Sequence, residues 1–319
     1  MENVNKMLLL AVLLSGFILH SAEVRAEKIG IIMFSEESRY AEAAKGIRDR
    51  LEEEGIQEPK TTFMEEHAGA NKAKAAEIVR KFAAAKMDLI FSLGTSASMA
   101  VAREIKDVPI VFSVVFDPVE AGLVKDWKSS GNNLTGTSTL VPMSMIMDNL
   151  ILLAPVKRLA VLYTPGEKNS ESTLKRLQEV QAVYKITVLP VLITKKEEIS
   201  HILPEIIRTS DAIYLTGSNL VDSEVSMIVD RATRGNVITV THLEDLAEKG
   251  VLLGVCSDSY MLGRLAGGKG IKILKGAKPS SIPTDVLKNF SVILNMKTVA
   301  AGGFKISPDV MKKITRTIE

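Results

Sequence analysis

Cysteine is nearly missing from this sequence. Cys256 is the only one in 319 residues, so no disulfide can close within the chain and no thiolate cluster can hold a metal. Histidine occurs four times and tryptophan once. There is no His-Glu-x-x-His pair, no Cys–His spacing of a metal site, no Gly-x-Ser-x-Gly elbow and no Gly-x-x-x-x-Gly-Lys-Ser/Thr loop, so the sequence offers no catalytic set, metal site or cofactor site. Aromatic residues make up only 5%. Few rings are left to stack on a sugar or an indole, which points toward a small, mainly hydrogen-bonded ligand. Neither sign of charge dominates: 40 Lys and Arg against 38 Asp and Glu give +2, too little for the basic field that nucleic acid requires.

One long apolar run exists, over residues 7–19, behind Lys6 and ahead of Val24-x-Ala26. Thirteen residues fall short of the ~20 that a membrane-spanning helix needs. A charged start, a short apolar core and a small-residue cleavage site describe a secretory signal peptide over 1–26. Its removal takes two acids, Glu2 and Glu23, and two bases, Lys6 and Arg25, so the mature chain keeps its charge. No cysteine follows the site to carry a lipid anchor. The expectation is an exported, freely diffusing periplasmic protein in which Cys256 is a small buried residue rather than a nucleophile.

From Lys28 onward, short apolar runs alternate with amphipathic stretches. Strands are expected at 28–33, 61–64, 88–92 and 108–115, with helices between them, the first carrying Ala44, Ile47 and Leu51 on one face. A second series starts after Pro155 with strands at 158–163, 187–192, 212–215, 237–240 and 251–255, and one of its helices is expected over 219–231. Strands alternating with helices imply parallel sheets covered on both faces, so this is an α/β chain that repeats one architecture twice. Residues 133–139 read as an edge strand and 144–153 as the helix that carries the chain across. The tail holds a helix at 259–274, a strand at 291–295 and a last helix from Pro308. It is long enough to return to the first lobe and cross again, giving a three-crossing hinge. The glycines from Gly263 to Gly270 lie inside a predicted helix with Leu262, Leu265 and Ile271, which fits close helix packing better than phosphate binding.

In parallel sheets, ligands sit beyond the carboxyl ends of the strands, where helix N-termini offer N–H groups and partial positive charge. In the first lobe that edge carries Phe34 and Ser35, then Thr95 and Ser96, then Phe116 and Asp117. In the second it carries Thr164, Asn169 and Ser170, then Thr216, Ser218 and Asn219, then Ser257, Asp258 and Tyr260. Helix termini near Thr95, Ser96 and Asn219 suit a carboxylate, and Asp117 or Asp258 suits an ammonium. Phe34, Phe116 or Tyr260 could wall an apolar part. The plainer roles are helix caps for Thr95, Ser96, Asn219 and Asp258, and a salt bridge to a Lys or Arg for either aspartate.

The segments Val111 to Val124, Asn133 to Gly136, Gly254 to Arg264, Lys272 to Gly276 and Asn295 to Pro308 together resemble the ABC-transporter substrate-binding proteins that include tryptophan- and tyrosine-binding members. The resemblance spans the whole mature chain. It implies a type I periplasmic-binding-protein fold, two Rossmann-like lobes of 27–142 plus about 259–285 and 143–258 plus about 286–319. It further implies a monomer that closes on a small solute and delivers it to the membrane subunit of an ABC permease. By motif position the ligand contacts would fall on Ser35, Thr95, Ser96, Asp117, Thr216, Asn219 and Asp258. One segment departs. Members that take aromatic amino acids follow the first strand with an E-H-P-A-L-type segment, whereas this chain has Ser35-Glu36-Glu37-Ser38-Arg39-Tyr40, which implies a different opening loop. Two other readings stay open at this stage: a sensory module that presents its closed form to a membrane receptor, and an exported hydrolase using Asp117 with a histidine. A LacI-like regulator of the same fold is disfavoured by the leader and the lack of a helix-turn-helix.

Overall fold

The computed structural model describes residues 26–319. The expected leader therefore lies outside the described residues, apart from its last position. The first half of the chain runs β1 (Glu27–Met33), α1 (Ser38–Glu52), β2 (Thr61–His67), α2 (Lys72–Ala85), β3 (Leu89–Leu93), α3 (Thr95–Glu104), β4 (Ile110–Val115) and β5 (Leu134–Ser138). Then α4 (Met143–Leu153) leads to β6 (Arg158–Tyr163), α5 (Lys168–Tyr184), β7 (Thr187–Leu192), α6 (Lys196–Thr209), β8 (Ala212–Leu215), α7 (Asn219–Ser223), α8 (Val225–Arg234), β9 (Ile238–Thr241), α9 (Glu244–Glu248) and β10 (Leu253–Cys256). The tail adds α10 (Ser259–Leu274), β11 (Asp285–Val286), β12 (Ser291–Asn295), α11 (Met296–Gly302), α12 (Pro308–Met311) and β13 (Arg316–Ile318).

Two sheets result, of order β11-β5-β4-β3-β1-β2 and β13-β12-β10-β9-β8-β6-β7. Every pairing in the first is parallel. In the second only β10 with β12 is antiparallel. Their central strands are buried on both faces, as continuous Ile, Val and Leu runs require. The chain passes between the sheets three times, after β5, after β10 and after β11. This is the two-lobed α/β architecture that the alternating pattern implied.

The return helix α10 lies against α1, and glycine makes this close. A Cβ on Gly263 would stand 2.0 Å from the Ala43 carbonyl oxygen, and one on Gly46 would stand 2.1 Å from that of Tyr260. The glycine-rich stretch is thus a packing face.

Three expectations need correction. The single helix over 219–231 is two, α7 and α8, broken at Glu224. The last helix from Pro308 is one turn, because the Thr and Ile residues of 314–318 favour extended backbone and β13 pairs beside β12 at Ile293↔Arg316. Strand β5 is not a bare edge, since the two residues of β11 pair with it.

Candidate functional site

The carboxyl ends of the two sheets face each other across a cleft. Tyr40, Thr95, Val114, Phe116 and Thr139 from one lobe meet Asn169, Gly217, His242 and Leu243 from the other. Phe116 reaches this position through a β-bulge. Phe112 opposes Gly136 and Val115 opposes Ser138, so two residues of β4 face one of β5, and Val114 takes a φ of 54°. Left-handed backbone is costly for a β-branched residue, and such residues cluster where a side chain must be re-aimed. The Phe116 ring packs on His242 with centroids 4.7 Å apart. His242 shares a hydrogen bond of 2.8 Å between Nδ1 and the Tyr214 hydroxyl. Burial, helped by the nearby Arg39 charge, lowers its pKa to about 3, so the ring is neutral.

Arg39, at the start of α1, crosses the cleft. Its guanidinium donates to Asp222 at the end of α7 and, at 2.5 Å, to Asp245 in α9. All three side chains are under 5% exposed. The Oδ1 atoms of both aspartates are buried and meet no donor. One cation against two carboxylates leaves the cluster one negative charge in excess. Burial, set against the Arg39 charge, lifts the Asp222 pKa to about 6. With Arg39 in place the central pocket holds about 20 Å³, room for about one water molecule.

Beside it, Arg39 and Asp245 also line a larger space of about 450 Å³ between α1, α9 and the start of α10, bordered by Glu42, Lys45, Glu244, Glu248, Asp258 and Arg316. A third groove of about 510 Å³ runs along α3, with Ser96, Met99 and Leu123 from one lobe and Gly166 from the other.

More inter-lobe contacts hold the cleft shut. Asp117 Oδ2 accepts from Arg176 Nε at 2.7 Å, while its Oδ1 accepts the backbone N–H groups of Val119 and Glu120 at 3.2 and 3.1 Å. Lys175 donates to Glu120 at 2.6 Å.

The seven residues singled out in the sequence are spread over the cleft rather than gathered. Thr95 lines the central pocket, Ser96 the third groove and Asp258 the larger space. Asp258 caps α10 through Met261 N–H at 2.9 Å. Asp117 is paired with Arg176. Thr216 donates back to the Leu162 carbonyl at 2.7 Å. Asn219 donates its backbone and side-chain N–H to Glu167, which thereby occupies the start of α7. Ser35 is buried and its Oγ has no partner. Sequence reasoning missed Arg39, Asp222, Asp245 and Arg176. The only available signal was the departing segment 35–40, where Arg39 falls. Among the described residues, no group of three His, Cys, Asp or Glu is placed to hold a metal ion, and no helix is long and apolar enough to cross a membrane. Cys256 is buried, and that burial raises its pKa.

The family profile described as "ABC transporter substrate binding protein" matches residues 28–318. The chain belongs to this family. This substrate-binding protein is 27% identical over 293 residues to the tyrosine-binding protein of Clostridioides difficile (strain R20291), covering 91% of this chain and 85% of that one. Among solved structures it is similar to an ABC domain in complex with L-Trp from Streptococcus pneumonia, at 27% identity, 92% and 99% coverage and a TM-score of 0.87. It is similar also to the ligand-free, open structure of a Clostridium difficile substrate-binding protein with adhesive properties, again at 27% identity, with 92% and 100% coverage and a TM-score of 0.73. At equal identity the L-Trp complex superposes better than the open form, in keeping with the inter-lobe ion pairs that close this substrate-binding protein's cleft.

Proposed function

We propose that this chain is the extracytoplasmic solute-binding subunit of an ABC importer, exported by residues 1–26 and acting as a monomer. It captures a small polar solute between its lobes and hands it to the transmembrane permease. The observation that carries this reading is the set of ion pairs joining opposite lobes, Arg39 with Asp222 and Asp245, and Asp117 with Arg176. A solute that contacts both lobes binds the closed form better and shifts the population toward it. Residues 27–142 with 259–285, and 143–258 with 286–319, then move as two bodies about the three crossings. Thr95 at the central pocket, Ser96 in the groove along α3 and Asp258 in the larger space are the polar candidates that line the cleft, and Ser35, Asp117, Thr216 and Asn219 stand behind that lining. No step of catalysis is needed.

The test is a thermal-shift screen of amino acids, amines and related solutes, paired with mass spectrometry of whatever the purified protein retains. A true solute at a hundredfold excess over its Kd stabilises by about 2.7 kcal/mol, a rise on the order of 5 °C in Tm. Silence across a broad library, with nothing retained, overturns the reading.

A further inference from the structure

The central pocket is walled by rings. Tyr40 and Phe116 line it from one lobe and His242 from the other, and all three are buried. Such walls suit another flat group, because rings pair edge to face or offset and also accept a planar guanidinium over their faces. Here the flat group is the chain's own. Arg39 lines the same pocket, with its guanidinium carbon 5.1 Å from the centre of the Tyr40 ring. About 20 Å³ is left beside it, against the ~300–1,000 Å³ usual for ligand sites. The opposite lobe keeps the arginine there, since its guanidinium donates to Asp222 and, at 2.5 Å, to Asp245. Both carboxylates are as buried as the arginine. The side chain cannot swing aside without breaking two ion pairs in a place that water does not reach, which would leave buried charge without compensation. It is a fixed partition, and any group as wide as a ring must displace it.

We propose that Arg39 is the specificity-determining residue of this cleft: it takes the place of a solute's aromatic side chain and so excludes aromatic amino acids from a pocket whose other walls suit them. The proposal rests on the solute-binding reading and narrows it to solutes without a ring. Removing the arginine gives the pocket an arginine's worth of space between Tyr40, Phe116 and His242. Thr95, Thr139 and Asn169, which also line the pocket, then offer hydroxyl and amide groups to the polar end of an amino acid.

The experiment is isothermal titration calorimetry of L-tyrosine and L-tryptophan into the full chain, into Arg39→Ala, and into the triple variant Arg39→Ala/Asp222→Asn/Asp245→Asn. The triple variant strands no buried charge, so it keeps the test open if Arg39→Ala does not fold. The expected result is that the wild-type chain binds neither amino acid, while a folded variant without Arg39 binds at least one of them, a gain of tenfold or more in affinity. Wild-type binding within tenfold of the variants overturns the proposal, as does an aromatic amino acid retained by the wild-type chain on purification. A triple variant that melts cooperatively and still binds neither amino acid overturns it too. Either failure leaves the solute-binding reading intact wherever the wild-type chain binds or retains a solute of any class. If the wild-type chain binds and retains nothing and the variants bind no ring, both readings fall together.

Discussion

Arg39 bridges the lobes by pairing with two buried carboxylates. Removing one partner from a buried ionic cluster leaves charge without compensation and costs about 3–5 kcal/mol. Arg39→Met should lower the urea midpoint accordingly, and adding Asp222→Asn and Asp245→Asn should recover much of the loss. Two groups beside it act oppositely on stability as pH changes. Asp222 titrates at about 6 in the fold, above its ordinary value, so the native state binds the extra proton and stability falls as pH rises from about 4 to 6. His242 titrates at about 3, below its ordinary value of ~6.5, so the unfolded state binds the extra proton there and stability rises over the same window. The two slopes offset. Asp222→Asn should leave the histidine unopposed, giving a steeper rise in urea midpoint between pH 4 and 6 than wild type, and an unchanged slope would refute this account. Little of this was legible in the sequence. Arg39, Asp222 and Asp245 each read as one more charge on an amphipathic helix, and their pairing spans 183 and 206 residues, beyond any local pattern. Asp117 was legible as a buried acid that needs a cation, but not as the partner of Arg176.

Helix pairs tell the opposite story, because close approach leaves a mark in composition. Small residues on α1 (Ala43, Gly46) and on α10 (Gly263, Gly267) let two backbones meet, and the glycine run could be read as packing before any coordinates. Gly263→Ala should force the helices apart, destabilising by about 1–3 kcal/mol as overpacked cores do. A thermal melt should show the loss, while Gly268→Ala, with open space at its Cβ, should not. Most strands were equally legible, since two-sided burial writes continuous apolar runs. The bulge at Val114 was not, since nothing in Val111 to Phe116 departs from an ordinary buried strand; the register with β5 creates it. Strand β13 was hidden for a related reason: three residues are too short a run to read as a strand, although their Thr and Ile favour extended backbone and β12 offers an edge to pair with.

At the scale of the whole molecule, the chain passes between the two sheets three times, and ion pairs join the two sides of the cleft. Arg176→Ala frees Asp117, which is 0% exposed at its side chain, and removes a contact that joins the two lobes. Small-angle scattering of this variant without solute should give a larger radius of gyration than wild type, and an equal radius would mean that the Asp117 pair does not hold the lobes.

The path of α10 carries a consequence for how the chain can be made. The first lobe is built mostly from the early part of the sequence, yet the helix covering α1 and the strand covering β5 come from residues 259–286. A chain threaded out amino end first therefore cannot complete its first lobe until the second has almost wholly emerged. Until then Ala43, Ile47 and the glycine face of α1 stay wet, so a fragment stopped near residue 142 should aggregate when expressed alone and regain solubility when the missing segment is supplied in trans.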